Sequence, residues 1–265
     1  MFHLWQDKRI KTWNPFVGCR FNCSYCWARR IAKRLNCIYC RVFSPHLHEE
    51  RLNAEKIPKN GVVFVSDMGD LWWAEPFQLE KILNAVKEIQ EKYPASFFFE
   101  TKRPLLYYSS EWDVLKPEKT IFSTTIETNR DEIEQQFTKA PPPWSRYNKM
   151  LHLPWPRKHI SIEPIMDFDL KTLFKWVTDI EPECVSIGYD NYHNNLPEPP
   201  LEKTLKLIKD LENSGIKVER KTLREGWRTR KQLKGLMLWD KRGLHPSPFA
   251  WRKEDIQDSV KKYEA

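Results

Sequence analysis

Three of the six cysteines in this chain lie within eight positions, in the segment NPFVGCRFNCSYCWARR at residues 14–30. Cys19, Cys23 and Cys26 form the spacing C-x3-C-x2-C. Three thiolates can bind three irons of a four-iron cluster and leave the fourth iron open to a substrate or cofactor. A structural zinc site is the alternative, although such sites usually have four protein ligands and commonly pair C-x2-C elements.

The rest of the chain favours a metal or cluster over disulfides at these cysteines. The N-terminal segment MFHLWQDKRIK lacks the apolar middle of a signal peptide, and no apolar run reaches the roughly 20 residues that span a bilayer. We therefore expect a soluble cytoplasmic protein without membrane contact. In that reducing compartment, cysteines so close together favour metal binding.

Short apolar runs alternate with helical patterns along the chain. GVVFVSD (61–67) precedes FQLEKILNAVKEIQEK, KHISIEP (158–164) precedes LKTLFKWVTDI, and ECVSIGY (183–189) precedes LEKTLKLIKDLENSG. Near-continuous apolar strands separated by helices indicate a parallel sheet covered by helices, and hence an α/β fold. No glycine-rich phosphate loop is present, which excludes nucleotide binding of the dinucleotide or P-loop type.

The cysteine motif, with Tyr25 directly before its third cysteine, resembles the signature of the radical SAM superfamily. The alternation of strands and helices extends this resemblance from about Thr12 to Leu223. The elements NP-x-x-GC and TKRP are similar to those of short phage-associated and prokaryotic radical SAM proteins of unassigned function, with spore photoproduct lyase a more distant relative. The resemblance implies a partial (β/α)6 barrel over residues 1–223, and we expect a basic, Trp-containing extension at 224–265 packed on it.

In that superfamily a [4Fe-4S] cluster binds S-adenosyl-L-methionine at its open iron and cleaves it reductively to a 5′-deoxyadenosyl radical, which abstracts a substrate hydrogen. The resemblance implies Cys19, Cys23 and Cys26 as cluster ligands, Tyr25 near the adenine, and an electron donor such as flavodoxin or ferredoxin. The resemblance also implies cofactor-binding residues at the ends of three predicted strands. At the first of these ends, relatives have a glycine-rich acidic motif that receives the methionine amino group, and SDMGD (66–70) departs from its commoner glycine-glycine-glutamate form. The candidate residues are Ser66, Asp67, Met68, Gly69, Thr125, Glu127 and Glu163.

Polar residues at strand ends have structural alternatives, because such residues commonly cap helices or form buried salt bridges. Lys102 and Arg103, in ETKRP, end another strand and can bind a carboxylate or phosphate of the substrate. They can equally cap a helix or pair with Glu100.

Two further cysteines, Cys37 and Cys40, are followed by His46 and His48 in LNCIYCRVFSPHLHEE. We interpret the two cysteines as small apolar side chains on a loop or helix. A tetrahedral zinc site is an alternative, although the H-x-H spacing is unusual for a zinc finger. Part of an auxiliary cluster that includes Cys184 is another, but Cys184 lies within a predicted strand and is expected in the core.

The net charge of +8 is concentrated in two segments. Residues 1–60 hold 12 Lys/Arg against 4 Asp/Glu, and residues 217–234 hold 8 against 2 beside Trp227. In an incomplete barrel the first and last strands border one lateral opening, so both segments can flank the substrate's entrance. We predict phosphate contacts there. The residues are Arg29, Arg30, Lys33, Arg34, Arg224, Arg228 and Arg230.

The sequence thus favours a radical SAM enzyme that acts on DNA, RNA or a nucleotide. The second hypothesis is a radical SAM enzyme that acts on a peptide or small metabolite. The third, from another class, is a non-catalytic zinc-binding nucleic-acid module. A solvated basic face on an unrelated enzyme would explain the charge equally well.

Overall fold

Seven parallel strands form the central sheet of the computed structural model, which describes residues 10–227. The described strands, in chain order, are β1 (Ile10–Trp13), β2 (Phe16–Val17), β3 (His46–Leu47), β4 (Val62–Val65), β5 (Ser96–Thr101), β6 (Thr120–Thr125), β7 (Lys158–Ile162), β8 (Cys184–Ile187) and β9 (Lys217–Arg220). The sheet order is β1-β4-β5-β6-β7-β8-β9, so β1 and β9 lie at opposite edges. The curled parallel sheet confirms the predicted partial barrel, with seven strands instead of six.

Helices connect successive strands of this sheet. The α-helices of the described residues are α1 (Trp27–Ala32), α2 (Ile38–Arg41), α3 (Pro76–Lys92), α4 (Asp131–Glu134), α5 (Pro143–Leu151), α6 (Leu170–Ile180) and α7 (Leu201–Asn213). Short 3-10 helices lie at Glu49–Arg51, Ala54–Lys56, Leu71–Trp73, Pro104–Tyr108, Ser110–Val114 and Pro117–Lys119. The longest helix, α3, begins at a proline, whose fixed φ and missing N–H suit the first helical position. Its apolar stripe, which includes Ile82 and Val86, is buried against the sheet.

The two faces of the sheet carry different side chains. Phe97, Phe99 and Phe122 belong to the large apolar core. On the other face, inside the curl of the sheet, Ser123 and Ser186 flank His159 at 2.9 and 3.0 Å. Successive side chains of a strand point to opposite faces, so residues of the large core alternate along each strand with residues of this second face.

Cys184 lies inside β8 and is 1% exposed, in an apolar cluster with Val62, Phe98 and Ile121. The prediction that Cys184 belongs to the core is therefore confirmed. The alternative of an auxiliary cluster that includes Cys184 has no support. Cys37 and Cys40 lie together with His46 and His48, and Cys184 is not among these neighbouring side chains.

The predicted C-terminal extension falls almost entirely outside the described residues. Residues 228–265, with Arg228 and Arg230, lie outside that part of the chain, so the division at 223/224 stays a prediction. Within residues 10–227, no helix combines the length and the apolar character that a bilayer crossing requires.

Candidate functional site

The three motif cysteines lie on a loop after β1 and β2, at the edge where the parallel strands end. Gly18 begins this loop in the left-handed region, at a φ of +100°. A Cβ on Gly18 would lie 2.3 Å from the backbone oxygen of Ser44, so a larger side chain cannot fit. Gly18 N also donates to Met68 O at 3.0 Å. These contacts fix the cysteine loop between the end of β4 and the segment that follows α2.

Each of the three sulfur atoms has one hydrogen-bond contact among the described residues, that of Cys23 being with Thr138 Oγ1 at 3.1 Å. Cys19 Sγ accepts from Phe21 N at 3.4 Å, and Cys26 Sγ accepts from Arg29 N at 3.4 Å at the start of α1. Burial raises the pKa of both the Cys19 and the Cys23 thiols. A bound metal would stabilise their thiolate forms. Three thiol donors on one loop are a donor set that fits an iron-sulfur cluster.

The end of β4 presents unpaired polar atoms beside this loop. Ser66 is buried with a φ of 57°, and its Oγ has no hydrogen-bond partner. Asp67 Oδ1 is likewise buried and unpaired, and burial raises the pKa of the Asp67 carboxyl. A bridge between Gly18 and Gly69 joins this turn to the cysteine loop. Because unpaired buried polar atoms cost free energy, this pair fits a ligand that carries hydrogen-bond donors, such as an amine.

A network of buried ion pairs lies beneath Tyr25. Lys102 contacts Glu127, and Arg146 Nη1 contacts Glu127 Oε2 at 3.0 Å while its Nη2 contacts Glu134. The hydroxyl of Tyr25 donates to Glu127 Oε1 at 3.2 Å. The side chains of Glu127, Glu134 and Arg146 are all 0% exposed. The network therefore joins the tyrosine of the cysteine motif to the ends of β5 and β6.

The charges in this network are balanced. Burial opposes the ionisation of Glu127, but the positive charges of Lys102 and Arg146 hold its pKa well below the usual range. Burial raises the pKa of Glu134 to about 6, because Arg146 offsets only part of the cost and Glu127 adds repulsion. Two cations thus face two carboxyl groups, and hydrogen bonds satisfy most of their polar atoms.

Several residues that the sequence predicts to bind the cofactor or the substrate have partners within the protein. Lys102 pairs with Glu127 and not with Glu100, and its Nζ donates to Thr125 Oγ1 at 2.7 Å. The guanidinium of Arg103 lies 4.0 Å from the ring centre of Trp72. Because Glu127 is fully buried within its ion pairs, its direct contact with a cofactor stays a prediction, as does that of Thr125.

The remaining cofactor candidates are placed at the same edge of the barrel. Met68 N donates to Asn14 Oδ1 at 3.0 Å, and Met68 packs near the cysteine loop. Glu163 follows β7 and lies close to Gly188 after β8. Burial raises the pKa of Glu163, which Lys221 partly offsets.

Four residues of this region are absent from the sequence prediction. Asp70 accepts hydrogen bonds from Thr101 Oγ1 at 2.7 Å and from Lys102 N at 3.0 Å. Thr138 Oγ1 lies 3.1 Å from Cys23 Sγ, and Glu134 and Arg146 complete the ion-pair network. A glutamate at the end of an apolar strand, such as Glu127, suggests that a cation lies nearby. The sequence does not indicate which Lys or Arg along the chain supplies that cation.

The two basic segments approach each other through the loop after β8. Arg30 donates to Asn194 Oδ1, and the ring of Trp227 lies 4.4 Å from that of His193. This proximity agrees with the predicted common opening. Arg224, however, forms an ion pair with Glu198 at 2.8 Å, so its charge is already balanced. The prediction that Arg224 is a phosphate contact is therefore not supported by its surroundings.

No protein-family model matches the chain, and no curated protein matches it. Among solved structures, the chain is similar in fold to SuiB of Streptococcus suis bound to precursor peptide SuiA. The two share 11% sequence identity, and the TM-score is 0.56. The alignment covers 80% of this chain and 48% of SuiB. SuiB bound to S-adenosylmethionine gives 9% identity and a TM-score of 0.52 over 80% of this chain and 50% of SuiB. The chain thus spans about half the length of SuiB, and the likeness shows a shared α/β partial-barrel fold.

Proposed function

We propose that the protein is a radical SAM enzyme that holds a [4Fe-4S] cluster on Cys19, Cys23 and Cys26. The observation that carries this proposal is the position of the cysteine loop, which lies against the turn with the unpaired Ser66 Oγ and Asp67 Oδ1. Active sites of β/α barrels lie at this edge, where the strands end. The fold shared with SuiB, which is solved with S-adenosylmethionine, supports the same class.

The chain's own residues have distinct roles in this proposal. Ser66 and Asp67 would accept hydrogen bonds from the amino group of S-adenosylmethionine, because both have unpaired buried oxygens. Tyr25 would line the adenine side, held in place by Glu127. The cluster would supply the electron that cleaves the sulfonium bond of S-adenosylmethionine. Lys102 and Arg146 would act as positioning residues, since both pair with Glu127 and their side chains are 12% and 0% exposed.

Anaerobic reconstitution with iron and sulfide tests this function. The full chain should become brown, absorb at about 400 nm and bind about four irons. With a reductant such as dithionite or reduced flavodoxin, it should convert S-adenosylmethionine to 5′-deoxyadenosine and methionine. A colourless protein that binds only zinc at Cys19, Cys23 and Cys26 would show that the proposal is wrong and would favour a zinc-binding module.

For the substrate we infer a nucleic acid, on the basis of the charge beside the barrel opening. Arg30, Lys33 and Arg34 are exposed on and after α1, next to the cysteine loop. Such cations bind phosphates without reading the base sequence. A peptide is the alternative, supported by the likeness to SuiB, which is solved with a precursor peptide. The ion pair between Glu198 and Arg224 weakens the nucleic-acid hypothesis, because it neutralises a cation on the other border of the opening.

Salt-dependent binding separates these substrates. We expect the chain to bind single-stranded DNA or RNA at low salt, and Lys33→Glu with Arg34→Glu should weaken binding at least about tenfold and lower the salt slope by about 2. Lys175→Glu is the matched control, because Lys175 is an exposed lysine on α6 and should leave binding unchanged. A parent chain that binds neither DNA nor RNA at low salt would replace this proposal with the peptide alternative.

A further inference from the structure

A second group of metal-ligating side chains lies outside the site described above. The sulfur atoms of Cys37 and Cys40 and the Nε2 atoms of His46 and His48 all lie within 4.8 Å of one another. The sequence-based interpretation of Cys37 and Cys40 as small apolar side chains does not account for the two histidines beside them. We propose that these four residues, the Cys2His2 group, bind one structural zinc ion.

Four distances within the group are close to the edges of a single tetrahedron, the largest difference being about 0.4 Å. Zinc bonds of about 2.3 Å to sulfur and about 2.0–2.1 Å to nitrogen place a sulfur and a nitrogen about 3.5 Å apart, and two nitrogens about 3.3 Å apart. His46 Nε2 lies 3.4 Å from Cys37 Sγ and 3.5 Å from Cys40 Sγ. Cys40 Sγ lies 3.2 Å from His48 Nε2, and the two Nε2 atoms are 2.9 Å apart. An iron-sulfur cluster would require a wider separation of the four atoms, so the geometry fits one ion.

The hydrogen bonds of the two histidines aim their lone pairs at the centre of the group. His46 Nδ1 lies 2.8 Å from the carbonyl oxygen of Ser44, and His48 Nδ1 lies 2.9 Å from Glu50 Oε1. Both partners are acceptors, so each Nδ1 carries a hydrogen, and in the neutral form of each ring Nε2 presents a lone pair. Two such nitrogens cannot hydrogen-bond to each other at 2.9 Å. A cation between them removes the repulsion, and a carbonyl or carboxylate behind each histidine is the usual support of a metal ligand.

The segment that carries the cysteines has little apolar burial to hold it in place. α2 has only four residues, and Ile38, Tyr39 and Val42 are 65%, 60% and 70% exposed. Structures with too little core are commonly fixed by a metal. A zinc ion would join α2 and its preceding residue to β3, which pairs with β2.

All four ligand positions are filled by protein, which is typical of a structural zinc site and leaves no open position for catalysis. The group also supports the neighbouring cysteine loop. Cys19 N donates to Phe43 O at 3.4 Å, and His48 N donates to Pro15 O at 2.7 Å. The zinc would therefore hold the segment against which the cysteine loop packs.

Metal analysis of the full chain tests the zinc site, provided that the other three cysteines are removed. In a Cys19→Ala, Cys23→Ala, Cys26→Ala background, protein given zinc and then passed through a desalting column should keep about one zinc per chain. Adding Cys40→Ser should lower this to less than about a tenth of an ion. Adding Cys184→Ser, the matched control at a buried cysteine outside the group, should leave about one zinc.

Two further measurements keep the result interpretable if Cys40→Ser does not fold. His46→Cys in the same background should retain zinc, because three cysteines and one histidine also form a zinc site, whereas His46→Ala should lose it. Cobalt in place of zinc should give the intense visible absorption of a tetrahedral ion with thiolate ligands, and zinc should abolish it. The proposal is overturned if the background chain retains no zinc, if Cys40→Ser and His46→Ala both retain it, or if the bound metal is iron.

Discussion

Replacing Cys23 with alanine should abolish both the iron-sulfur cluster and the cleavage of S-adenosylmethionine. Cys23 is the buried member of the three cysteines, and among the described side chains its sulfur hydrogen-bonds only with Thr138. Loss of one of three ligands leaves the cluster with two protein bonds. Because loss of a residue that merely supports a ligand already costs about 10–100-fold, we expect cleavage to fall by more than about 100-fold. Iron content should fall from about four to less than about one per chain.

Two controls separate loss of the cluster from loss of the fold. Cys184→Ala removes a buried cysteine from the opposite part of the sheet and should leave iron content and cleavage close to those of the parent. Cys23→Ala should also retain the zinc of the Cys2His2 group, since that group lies on a different segment. A Cys23→Ala protein that kept four irons and still cleaved S-adenosylmethionine would contradict the assignment of the cluster ligands.

The order of strands could be predicted from the sequence because each buried strand is a local apolar run. VVFV and CVSI, for example, are predicted correctly as β4 and β8 from short windows alone. The cysteine motif is equally local, since its three ligands lie within one loop. The contacts of this loop with Ser44 and Phe43 are not predictable in the same way, because they depend on how a later segment folds back.

The Cys2His2 group shows what spacing alone leaves open. Its four ligands are close in sequence, yet the unusual H-x-H spacing gives no reason to prefer a metal over two small apolar side chains. The deciding observations are the convergence of the four atoms and the acceptors behind His46 and His48. Both arise from the turn between α2 and β3, which the sequence does not specify.

The buried ion pairs could not be predicted because their members come from distant parts of the chain. Arg146 lies on α5, and the many polar residues of its segment PWSRYNK are typical of an exposed helix. The structure instead buries its guanidinium between Glu127 and Glu134. Pairing of buried charges depends on the assembled barrel, so the sequence reveals the need for a counter-charge but not its source.

Arg146→Met should therefore destabilise the protein by about 3–5 kcal/mol, because it leaves two buried carboxyl groups with Lys102 as their remaining cation. Methionine keeps much of the arginine's volume, so the loss of charge dominates over the loss of packing. The measurement is urea unfolding of the metal-free protein, compared with the parent. Arg220→Met is the matched control, because its ion pair with Glu212 is exposed and should contribute no more than about 1 kcal/mol.

A second substitution distinguishes the electrostatic cause from simple loss of a side chain. Adding Glu134→Gln to Arg146→Met removes the carboxyl group that has lost its nearest cation, while it preserves the shape of the side chain. The double variant should recover at least about 1 kcal/mol relative to Arg146→Met alone. If Arg146→Met costs no more than the Arg220→Met control, or if Glu134→Gln makes it less stable still, the buried charges are not what holds Tyr25 and the strand ends together.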